Sequence, residues 1–166
     1  MQETVAQLTE IMRQQHQLYR KLAGLARAKQ QHIIEGNLQE LEKANQLEEQ
    51  LVIQGLRLED GRRDCQTRLA ELFGLSADEL TVTSLLEKLP PEQAKPLFNL
   101  RDDLMRTVTE LQETNRENAS LLRQAMDWVE YTLRLLTEPQ GDGVYTAEAA
   151  ADKPSCQEAR ILDVKV

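Results

Sequence analysis

The sequence is poor in the residues that build most catalytic and β-rich domains. Aromatic residues make up 4% of its 166 positions, and an aromatic-rich β-sandwich is thereby disfavoured. Two cysteines, Cys65 in an expected helix and Cys156 in an expected tail, make no disulfide framework. With His16 and His32 they give no Cys-x-x-Cys or His-x-x-x-His spacing, so neither a metal site nor a cofactor is expected. No apolar run approaches the ~18 residues of a bilayer span, and Met1 leads into polar Gln2-Glu3-Thr4 rather than a signal peptide. A cytoplasmic protein without membrane insertion is expected. No proline precedes Pro90, so the first half of the chain is free of the strongest helix breaker.

What is present is leucine, glutamate and glutamine in helical periodicity. A formal charge of −8 repels a phosphate backbone, and no nucleic-acid partner is expected. Arg13, Arg20, Lys21, Arg27 and Lys29 read as a solvated helix face. Val5, Leu8, Ile11, Met12, Leu18, Tyr19, Leu22, Leu25, Ala26 and Ile33 recur in threes and fours, with Gln15 and Lys29 interrupting the stripe. Glu35-Gly36-Asn37 then supplies a terminating glycine followed by a capping residue, a compact hairpin turn.

A second helix reads from Leu38 to Leu72, with Gly74 placed to end it; each internal glycine costs about 1 kcal/mol and makes a bend near Gly61 plausible, but the apolar phase carries through and the segment reads as one helix. Short helical turns are expected between Ser76 and Leu89. A third long helix runs from Pro91 to Leu136, its stripe read as Leu100, Leu104, Val108, Leu111, Asn115, Asn118 and Leu122, with a stutter between Leu100 and Val108. Asn115 and Asn118 are expected as a structural polar layer in the seam.

These patterns predict an all-α fold: an elongated antiparallel bundle of three long helices over 1–137, short connecting turns, and a mobile C-terminal tail over 138–166. Near the end of the third helix Leu121, Met126, Trp128, Tyr131 and Leu135 widen the apolar arc. Packing against the other helices is the more ordinary explanation, and a partner groove the sharper one.

Chemistry is scarce. No Glu-x-x-His pair suggests a di-metal site, no Gly-x-x-x-x-Gly-Lys loop a phosphate, and no Gly-x-Ser-x-Gly a nucleophile. The sequence offers no catalytic residue, so an interaction protein is expected rather than an enzyme.

Several segments carry a family resemblance: Leu18-x-x-x-Leu22-x-x-Leu25, Glu35-Gly36-Asn37-Leu38-x-x-Leu41, Arg68-Leu69-Ala70-Glu71-Leu72-Phe73-Gly74-Leu75, Asn115-Arg116-Glu117-Asn118-Ala119-Ser120-Leu121-Leu122, and Gly143-Val144-Tyr145. Over nearly all of residues 1–150 the chain resembles the FlgN family of flagellar type III export chaperones. The resemblance implies a cytosolic chaperone that keeps hook–filament junction proteins unassembled and delivers them to the export apparatus. It places client binding on the end of the third helix (Met126, Val129, Leu133, Leu136) and docking to an export gate component on Tyr145. Residues 152–166 have no counterpart in it. The alternative from a different class is a structural coiled-coil stator or stalk component of a secretion ATPase.

Overall fold

A computed structural model describes residues 1–76 and 79–137. They form α1 (Gln2–Glu35), α2 (Leu38–Phe73), a short α3 (Val82–Lys88) and α4 (Pro91–Thr137). The three long helices and the short connection match the architecture expected from periodicity. The expected tail, with Tyr145, lies outside the described residues.

The hairpin between α1 and α2 turns within two residues. Gly36 adopts φ 67°, a left-handed conformation that glycine takes without steric cost, and its N–H bonds back to the end of α1. Asn37 caps α2, its side chain accepting the Glu40 N–H at 3.3 Å. Gly74 repeats the left-handed ending for α2 at φ 67°. The connection that follows is pinned by two reciprocal caps, Ser76 with Glu79 and Thr81 with Ser84.

Pairings fix the directions. Gln15 meets Glu59 and Lys29 meets Glu48, so α1 and α2 are antiparallel. His16 meets Thr107 and Asn118 meets Ala26, so α4 runs parallel to α1. α1 packs on both neighbours, whereas the α2 and α4 backbones do not approach one another. The N-terminal helix is thus the centre of the described bundle.

The core is heaviest at the base, where Val5, Leu8 and Met12 of α1 meet Cys65 and Leu69 of α2, Leu80 and Leu85 of the connection, and Leu97 of α4. Higher up, Leu18, Leu22, Ala23 and Ala26 pack with Leu51 and Leu111. Above Leu111 the only buried side chain of α4 is that of Asn118.

One expectation holds and one is corrected. α2 runs unbroken through Gly55 and Gly61. A Cβ on Gly55 would stand 3.0 Å from Leu18 Cδ2, and one on Gly61 3.3 Å from Ile11 Cδ1. The glycines let α1 approach closely. The seam of α4 also follows a different line: Leu97, Leu104, Leu111 and Asn118 recur every seven residues, with Thr107 and Thr114 between them, and no stutter is needed. Thr107 is buried where Val108 was expected, and Asn115 is exposed while Asn118 is buried. The threonines fit because their hydroxyls donate to the carbonyls of Asp103 and Glu110 at 2.9 and 3.0 Å, which satisfies them within α4.

Candidate functional site

α4 is longer than the helices beside it, and its excess is where apolar surface stands open. Nine residues up each helix from the Ala26–Asn118 contact, Asp127 comes level with Glu35, the end of α1. The ten residues 128–137 therefore rise about 15 Å above the hairpin at about 1.5 Å per residue. Helix continues there because the sequence from Leu97 to Thr137 contains neither glycine nor proline, and Arg134 pairs with Glu130 on the outer face.

The four helical residues marked for partner binding all lie on this overhang or at its root, and all are exposed: Met126 69%, Val129 55%, Leu133 56% and Leu136 77%. With Leu122 they form one stripe in steps of four and three. Leu121, Trp128, Tyr131 and Leu135 form a second stripe beside it, the Trp128 and Tyr131 rings 6.1 Å apart. Together the stripes occupy roughly 220° of the helix perimeter at about 100° per residue. The remaining arc carries Arg123, Asp127, Glu130 and Arg134, two cations and two anions. The aromatic residues here do not pack against α1 or α2.

Apolar surface also opens at the end of the hairpin, where Ile34 is 65% and Leu38 76% exposed. Sequence reading assigned Ile34 and Leu38 no partner role. The signal was there, an isoleucine and a leucine flanking a turn that no described helix covers, but it needed the register of α4 to be read.

Below the overhang α4 is tied to α1 by polar groups. Arg27 pairs with Glu110, Gln30 donates to Glu117 at 2.9 Å, and Asn118 Nδ2 donates to the Ala26 carbonyl at 2.8 Å. The Asn118 Oδ1 has no protein partner. On the other side of α1, Gln15 is buried and donates to Glu59, which also accepts from Arg62 and Arg63. The Arg62 guanidinium, with Arg63 and Gln15 adding to it, holds the Glu59 carboxyl down at about 2.

Among the described residues no three His, Cys, Asp or Glu side chains gather as a metal site, and no helix is long and apolar enough to cross a membrane. Burial pushes the Cys65 thiol up, away from the reactive thiolate. A shallow groove of about 390 Å³ between α2 and α4 is floored by Met12 and Tyr19 of α1 and walled by Leu104 and Val108. The arrangement is suited to apolar docking at the top of α4.

A family model described as FlgN protein matches residues 1–153. Comparison with curated proteins and with solved structures gave no match.

Proposed function

The chain belongs to the FlgN family of flagellar export chaperones, and from that membership we propose that it binds hook–filament junction proteins in the cytoplasm, holds them unassembled and delivers them to the export apparatus. The observation that carries this reading is the overhang of α4, a helix end with more than half its perimeter apolar and exposed, with no helix packed on it among the described residues. An exposed patch of this extent on a small protein marks an interaction site. A client helix laid on Met126, Val129, Leu133 and Leu136 would bury side chains that filament assembly otherwise uses. Residues 1–137 act as the bundle that presents the site. Asn115 and Asn118 stay outside the client surface in this reading, Asn118 as a structural residue facing α1. Tyr145 is proposed as the contact to an export gate component, beyond the client surface.

The test is suppression of client assembly. An equimolar amount of this protein should keep a purified junction protein soluble and unpolymerised, and Leu133→Ser together with Val129→Ser should abolish the effect with helix content unchanged. Equal polymerisation with and without the protein would overturn the reading and favour a stalk component. Tyr145→Ala should leave client binding intact and weaken gate binding by about 1 to 2 kcal/mol.

A further inference from the structure

A single packed neighbour covers an apolar stripe about 100° wide, less than half of what the overhang exposes. Leu122, Val129 and Leu136 lie 18 residues, or five turns at 3.6 residues per turn, beyond Leu104, Leu111 and Asn118, so they present the side that α4 turns toward α1 lower down. That stripe continues the α1–α4 interface into the space above α1, with exposed Ile34 and Leu38 as its floor. The second stripe is displaced from it by about 120°, the angle between Val129 and Leu135. α1 shows what such a pattern accommodates. Its Leu18, against Gly55 of α2, and its Ala23, on the side of α4, are separated by about 140°, and α1 is the helix flanked by two long neighbours.

We propose that the overhang of α4 is clasped by two helices of the client, one above α1 on the Val129–Leu133 stripe and one on the Trp128–Leu135 stripe, as α2 and α4 clasp α1. This rests on the client reading above. The occupant is a helix pair with apolar inner faces, because the overhang's one anion, Glu130, and one cation, Arg134, pair with each other and select neither charge sign.

The stripes can be read separately through Leu133→Cys and Leu135→Cys, each in a Cys156→Ser background, since Cys65 is buried. Alkylation rates of the full-length variants are measured alone, with an intact junction protein of the same host at ten times its Kd, and with single-helix peptides that together span that protein. Intact client should slow both sites about tenfold, while each peptide slows one site or neither. One peptide slowing both sites as much as intact client overturns the two-helix arrangement and leaves the chaperone reading standing, as does intact client that protects only one site. Intact client protecting neither site overturns both. Protection of both sites by raised concentration of the protein alone would assign the surface to a second copy of this chain and also overturn the proposal.

Discussion

Three glycine-to-alanine substitutions measure how closely α1 and α2 approach. Each removes the backbone freedom that glycine has in the unfolded chain, which in a helix interior is worth about 0.8 to 1 kcal/mol. At Gly24 an added Cβ meets nothing within 4 Å. Gly24→Ala should therefore realise the full gain and raise the thermal midpoint by about 3 °C, at about 3 °C per kcal/mol for a chain of this length. At Gly61 the methyl would sit 3.3 Å from Ile11 Cδ1, the end of a half-buried side chain that can yield, and the two effects should nearly cancel. At Gly55 it would sit 3.0 Å from Leu18 Cδ2, and Leu18 is held among Leu22, Leu51 and Leu111. Overpacking costs about 1 to 3 kcal/mol, so Gly55→Ala should lower stability by about 1 kcal/mol after the helix gain. Urea titrations followed by circular dichroism give the three values under one protocol. If Gly55→Ala stabilises as much as Gly24→Ala, the two helices do not touch at Leu18 and the register of the hairpin is wrong.

Asn118→Leu should raise stability by about 1 kcal/mol, because it replaces a buried amide with an unpartnered oxygen by an apolar group in the seam, and thermal melts check it. Leu97→Ala removes a fully buried leucine from the basal core and should cost about 2 to 5 kcal/mol in urea titrations. The Glu59 carboxylate, depressed to about 2, contributes stability that is complete above its ordinary value of 4.5 and is lost as pH falls through about 2. With a third of the side chain exposed, that contribution is about 1 kcal/mol after solvent screening. Glu59→Gln should lose it at pH 6, and the gap from the parent protein should close between pH 4.5 and 2.

The turns and helix ends were legible because their signals are local. Gly36 followed by Asn37, Gly74, and Pro91 at a helix start each act within one turn of chain. The seam of α4 was misread at Val108 and Asn115 because threonine counts as polar in a sequence pattern, and only a bond to its own helix makes Thr107 and Thr114 fit an interface. Gly55 and Gly61 read as weak points because a helix pattern says nothing of what stands opposite. The family resemblance points to the end of the third helix, and Met126, Val129, Leu133 and Leu136 are its apolar residues there, yet the same stripe would describe a buried helix. What separates the two is where α1 stops relative to α4, a relation set by contacts such as Asn118 with Ala26 that link residues 92 apart.

The central position of α1 has a consequence for how the chain reaches this structure during synthesis. The α1–α2 hairpin closes through Gly36 and Asn37 alone, so its loop entropy is small and its contacts can form once Phe73 has been made. α4 must instead find α1 across the 55 residues between Glu35 and Pro91. Because α2 and α4 share no backbone approach, the hairpin needs nothing from α4 to complete its own face. The order is therefore hairpin first and α4 last, with the overhanging end of α4 emerging from the ribosome after the rest of the described helices, and pulsed hydrogen exchange should protect Leu51 before Leu111.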